Sequence, residues 1–127
     1  MTPVQNVPSS PALIAVVDDD DDVRFSLEAL VASMGYDVAS FASADLLLGS
    51  STLKNVSCVV SDVQMPGTSG IQLARKLQRD SGPPIILITA FGTRAVEEQA
   101  REAGATCFLR KPFPPTELMD ELDRLLV

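Results

Sequence analysis

Five short apolar runs, each followed by a longer stretch of helical period, constrain this chain more than any other feature. The runs are Leu13 to Val17, Asp37 to Ser40, Cys58 to Asp62, Ile85 to Thr89 and Thr106 to Leu109. They are rich in Val, Ile, Leu and Phe and mostly continuous rather than alternating, which is the pattern of strands buried on both faces. Between them, Val23, Leu27, Leu30, Val31 and Met34 fall on one helical stripe closed by Gly35, a residue suited to the left-handed turn after a helix. Ile71, Leu73, Ala74 and Leu77 give the third helix its buried side; Leu118, Leu122, Leu125 and Leu126 do so for the last, and Gly104 is placed to end the fourth. Successive units of this kind predict an α/β fold, a doubly wound sheet of five parallel strands joined by right-handed crossovers. Its ligand site is expected beyond the carboxyl ends of the strands.

The 127 residues suffice for one domain, expected over residues 12–127. Pro3, Pro8 and Pro11, with Ser9 and Ser10, predict an extended tail over residues 1–11. With 10 Lys plus Arg against 17 Asp plus Glu, the formal net charge of -7 disfavours a grip on a phosphate backbone or an anionic membrane. Neither direct nucleic-acid binding nor membrane attachment is expected. There is no His, so general acid/base work by imidazole, His metal ligands and a phosphohistidine on this chain are all excluded. Cys58 and Cys107 form no C-x-x-C pair; Met1 to Pro11 has no Lys or Arg and no long apolar stretch, so no signal peptide is expected, and no run reaches the ~18 apolar residues that a membrane span needs. A reducing, cytoplasmic setting is expected.

Chemistry should therefore be sought at strand ends. The first strand runs into Asp18 and Asp19, and the third ends in Asp62. Asp20, Asp21 and Asp22 are accounted for as helix-capping acids. Asp62 resists that explanation, because Gln64-Met65-Pro66-Gly67 follows it as a loop. If Asp18, Asp19 and Asp62 converge, two such charges about 4 Å apart repel by about 4 kcal/mol at an effective dielectric near 20. They must hold protons or recruit a cation, and Mg²⁺ suits a site of carboxylates, a backbone carbonyl and waters. Thr89 ends the fourth strand and Lys111 follows the fifth. Alone, each is an ordinary strand or surface residue; beside the acids they complete a set sufficient for phosphoryl transfer to a carboxylate.

The stretches Val16-Val17-Asp18-Asp19, Ser61-Asp62-Val63-Gln64-Met65-Pro66-Gly67 with Gly70, Ile88-Thr89-Ala90 and Lys111-Pro112-Phe113 resemble, in joint spacing, the receiver domains of bacterial two-component response regulators, most of all the FixJ type. The resemblance covers Leu13 to Leu126. It implies a flavodoxin-like sheet of strand order 2-1-3-4-5. It implies Asp62 as phosphoacceptor, with Asp18, Asp19, Asp62 and the Gln64 carbonyl as the Mg²⁺ site. Thr89 and Lys111 would contact the phosphoryl group, Thr89 after moving inward, and Phe108 would stand at an aromatic switch position. For Phe108 a permanently buried strand aromatic is the alternative.

A partner histidine kinase is the implied phosphodonor. The chain would be no enzyme beyond phosphorylating and dephosphorylating its own aspartate. Regulators of this type commonly continue into a DNA-binding domain, which implies a role in transcription regulation. Phosphorylation would alter the surface of the fourth helix, fifth strand and fifth helix, on which a homodimer is expected, with Val96, Ala100, Ala103 and Phe108 as its apolar face. Two features depart from the pattern or tune it. Pro114 replaces a polar cap, partly offset by Pro115 in the first helical turn. Gln64 and Phe91 occupy positions that tune phosphate lifetime in the family. Two other readings stand beside this one. An Mg²⁺-dependent aspartyl-phosphate phosphohydrolase is opposed by Gln64, which stands where that chemistry needs a second acid. A degenerate receiver acting only by binding is opposed by the complete residue set.

Overall fold

The computed structural model describes residues 11–126, so that all of the expected tail except Pro11 lies outside the described residues. The elements are β1 (Leu13–Val17), α1 (Asp21–Ser33), β2 (Asp37–Phe41), α2 (Ala44–Leu48), a 3-10 turn (Ser51–Asn55), β3 (Cys58–Asp62), α3 (Gly70–Arg79), β4 (Ile85–Thr89), α4 (Arg94–Glu102), β5 (Cys107–Arg110) and α5 (Pro115–Leu126). All pairings are parallel, and the sheet order is β2-β1-β3-β4-β5. Three strands have the limits expected from the sequence; β2 runs one residue further, and β5 starts and ends one residue later.

Burial on both faces follows from alternation along each strand. Ala15, Val17, Val59, Ile85 and Leu87 meet Ala44 and Leu47 of α2, Ile71, Leu73, Ala74 and Leu77 of α3, and Ala100 and Ala103 at α4. Ile14, Val16, Cys58, Val60, Ile86, Ile88 and Leu109 meet Leu27 and Val31 of α1 and Leu118 and Leu122 of α5. At about 1.5–3 kcal/mol for each fully buried large aliphatic side chain, these two layers supply the main driving force.

Local chemistry sets the helix ends. The Asp20 carboxylate accepts from the N–H groups of Asp22 and Val23, Ser69 and Gln72 form a reciprocal capping box on α3, and Thr93 caps α4. Gly35 and Gly104 take φ of 92° and 95° just beyond α1 and α4, where a side chain would be strained. α5 begins without a side-chain cap: Pro114 offers only its carbonyl, which accepts from the Glu117 N–H at 2.9 Å.

The apolar association face expected on α4 needs correction. Ala100 and Ala103 are fully buried, because their small side chains let the helix backbone settle onto the sheet. The outer surface of α4 is instead charged, presenting Arg94, Glu98, Arg101 and Glu102. None of the described helices is long and apolar enough to cross a membrane.

Candidate functional site

The carboxyl ends of β1 and β3 are adjacent, since Val17 pairs with Ser61, and each hands the chain to a loop. Carboxylate oxygens of Asp18, Asp19 and Asp62 lie within 4.8 Å of one another. Asp18 is the most enclosed of the three, at 2% exposure. Its N–H donates to the Phe41 carbonyl at 3.2 Å, and its Oδ1 accepts from the Asp20 N–H at 2.9 Å. Its Oδ2 is buried and accepts no hydrogen bond. Burial raises the Asp18 carboxyl above its ordinary value; the Asp20 N–H and Lys111 oppose the shift, while Asp19 and Asp20 add to it. Asp62 is raised for the same first reason and by the neighbouring Asp18, against the pull of Lys111 and of the Gln64 and Val63 backbone N–H groups.

A buried carboxylate oxygen without a donor is costly, on the order of 1–3 kcal/mol, unless something positive faces it. Lys111 supplies part of that, its Nζ 3.9 Å from Asp18 Oδ2, while keeping 28% of its side chain exposed. Three converging acids with one orphaned oxygen fit a hard divalent cation, which takes oxygen ligands and retains waters.

Asp62 is fixed by close backbone packing. Gly70, first residue of α3, donates its N–H to the Val63 carbonyl at 2.8 Å. A Cβ there would lie 2.2 Å from the Asp62 carbonyl oxygen. Only glycine lets the start of α3 lie against the peptide that carries the acid. Across the loop, the Thr68 hydroxyl donates to Asp45 Oδ1 of α2 at 2.6 Å.

The remaining expected residues stand on the loop after β3 and on β4 and β5. Gln64 is exposed in the loop after β3. Thr89 is fully buried at the end of β4, where its Oγ1 accepts from the Phe91 N–H at 3.0 Å; Phe91 itself is 66% exposed. Phe108, register partner of Leu87, packs half-buried on the layer formed with α3 and α4. It borders a cavity of about 180 Å³ shared with Glu97, Arg101, Ala105, Thr106 and Cys107. Acids and lysine thus form a first group, to which Thr89 is joined through backbone, its carbonyl accepting from the Lys111 N–H at 2.8 Å, while Phe108 packs on the layer facing α3 and α4. Arg24, which the sequence reading left unassigned, touches the first group: its Nη1 donates to the Asp18 carbonyl at 2.8 Å. Its spacing from Asp21 signals a helix ion pair and hides this contact with backbone.

The family model described as response regulator receiver domain matches residues 14–123. Nodulation protein W of Bradyrhizobium diazoefficiens is 41% identical over 113 residues, which cover 88% of this chain and 50% of that protein. The transcriptional regulatory protein FixJ of the same organism is 39% identical over 106 residues, covering 83% of this chain and 52% of FixJ. The chain thus spans about half the length of these curated relatives. Among solved structures, Vibrio cholerae chemotaxis protein CheY4 superposes with a TM-score of 0.83 at 27% identity, over 92% of this chain and 100% of that one.

Proposed function

The chain belongs to the family of response regulator receiver domains, and from that premise we propose that residues 12–127 form a phosphorylation-driven switch whose acceptor is Asp62. The observation that carries this reading is the convergence of Asp18, Asp19 and Asp62, with one buried Asp18 oxygen left unsatisfied and Lys111 beside it. Family membership points to a phosphohistidine as phosphodonor, and because this chain has no His that group lies on a partner kinase.

Asp62, held by the backbone around Gly70, attacks phosphorus in line. An oxygen–phosphorus bond forms, the nitrogen–phosphorus bond of the donor breaks, and the departing imidazole takes up a proton. Asp18, Asp19, Asp62 and the Gln64 carbonyl would hold Mg²⁺, which when bound neutralises negative charge gathered around the transferring group. Lys111 moves from Asp18 toward a phosphoryl oxygen and balances its charge. Thr89 turns inward, exchanging the Phe91 N–H for a phosphoryl oxygen to which its hydroxyl donates. Phe108, on the same face of the sheet, follows into the space released and reshapes the surface of α4, β5 and α5. That surface then pairs with a second copy or an effector. The protein works in the cytoplasm; it contributes to control of transcription, the role that the name transcriptional regulatory protein FixJ states for that relative.

Incubation with acetyl phosphate and Mg²⁺ tests the reading. Stoichiometric, self-limiting labelling that Asp62→Asn abolishes is expected. Sustained turnover of unrelated phosphomonoesters would instead make the chain a hydrolase, and absence of labelling with any donor would make it a phosphorylation-independent binding module.

A further inference from the structure

Asp18 is held at three atoms and free at one. Its N–H is held by Phe41 and its Oδ1 by Asp20, while Oδ2 alone is unsatisfied. The third hold is on its carbonyl, from Arg24 Nη1 at 2.8 Å. The Arg24 guanidinium is unusually enclosed for an acid-rich surface helix, its side chain only 12% exposed. Its second arm pairs with Asp21, and its CZ carbon sits 5.3 Å from the centre of the Phe25 ring. Fixed on two sides, the guanidinium ties the first turn of α1 to the Asp18–Asp19 peptide just beyond β1.

We propose that Arg24 is a positioning residue for the cation site: by fixing the Asp18 carbonyl it aims Asp18 Oδ2, and with it Asp19, at the space shared with Asp62. The inference rests on the reading of that space as a divalent-cation site. Its force lies in the sign of its consequences. A cation this close to an acidic metal site repels an incoming Mg²⁺, so if Arg24 acted through its charge alone, neutralising it would tighten Mg²⁺ binding. If it acts by positioning, neutralising it loosens the turn and weakens binding, by about tenfold as is usual when a residue that orients a metal ligand is removed. Lysine keeps the charge but lacks the planar fork that serves the carbonyl and Asp21 together.

The test is calorimetric titration of wild-type protein, Arg24→Met, Arg24→Lys and Asp21→Ala with MgCl₂, together with the amide spectrum of each metal-free protein. Arg24→Met and Arg24→Lys are both expected to raise the Mg²⁺ Kd about tenfold. Both should also shift the Asp20 amide resonance, whose N–H reports the Asp18 carboxylate. Asp21→Ala, which leaves the Asp18 contact in place, is expected to change Kd by less than about twofold. Tighter binding by Arg24→Met would overturn positioning in favour of charge, whereas weaker binding by Arg24→Met with a Kd restored by lysine would support positioning through the Asp18 carbonyl contact alone, without the fork. An unchanged Kd with a lowered Tm would reduce Arg24 to a structural role. If wild-type protein itself binds no Mg²⁺, the cation-site reading fails and the positioning role falls with it, an outcome distinct from unchanged binding in the Arg24 variants.

Discussion

α3 and α4 lie side by side on the same face of the sheet and differ by one residue in length, yet they hold on to it very differently. α3 buries Gly70, Ile71, Leu73, Ala74 and Leu77, and its first residue presses on the peptide that bears Asp62. Within α4 only Ala100 is buried. What α4 lacks in apolar anchorage it replaces by a charged clasp: Arg110 Nη2 of β5 pairs with Glu97 at 2.8 Å, and Arg101 approaches the same carboxylate at 3.8 Å. The Arg110 stem also lies over Gly92, where a Cβ would come within 2.6 Å of it. Under the proposed function, an acceptor at Asp62 needs fixed geometry, whereas a surface that reports its state needs an alternative arrangement of similar energy. The sequence spends its large aliphatic residues on the helix beside Asp62 and small ones on the helix beside Thr89 and Phe108.

Truncating one apolar residue in each helix gives the largest expected effect. Leu73→Ala leaves a cavity at a fully buried position and should cost about 2–5 kcal/mol in urea unfolding. Val96→Ala, at a half-buried position of α4, should cost about 1 kcal/mol. Similar losses at the two sites would erase the contrast.

Much of this layout was legible in the sequence because parallel strands announce themselves as unbroken apolar runs bounded by acids, Gly and Pro. Asp62 stood out for a related reason, as an acid ending such a run with no helix immediately behind it to cap. The parts that escaped depend on backbone or on scale. α2 spans only Ala44–Leu48, too short for a helical period to register, and the Asp45 contact with Thr68 bridges residues with no patterned relation. Arg24 meets a carbonyl, which every residue possesses, so nothing in the chain singles out its partner. Ala100 and Ala103 are buried, and apolar spacing alone does not say which side of a thinly anchored helix is covered.

An effect of middle size should come from charge on the anchored side. The Asp18 and Asp62 carboxyls are raised by burial, and Asp62 also by Asp18, so the folded protein binds their protons more tightly than the unfolded chain does. Stability contributed this way is fully present below the ordinary carboxylate value and is lost as pH rises through the raised values. Metal-free Asp62→Asn should therefore be more stable than wild type at pH 7 by on the order of 1 kcal/mol, with the advantage gone near pH 3. Mg²⁺ should raise the Tm of wild type more than that of the variant. If Asp62→Asn destabilises the metal-free protein at pH 7, the acid cluster is not under like-charge repulsion, and the anchored side carries no such cost.

The smallest effect belongs to the clasp on α4. Glu97→Gln removes the charge that Arg110 and Arg101 share, in a partly exposed setting where such pairs contribute about 0–1 kcal/mol, so global unfolding should hardly change. Local opening is a more sensitive measure, because a helix with little buried apolar surface exchanges its amides through small fluctuations rather than through global unfolding. Hydrogen exchange in α4 should therefore quicken in Glu97→Gln by about twofold or more, on the order of what 0.5 kcal/mol allows, while α3 stays as in wild type. Equal acceleration in both helices would mean that the two open as one unit. Unchanged exchange in α4 would mean that Ala100 and Ala103 hold it alone, and that the charged surface above them leaves its mobility unaltered.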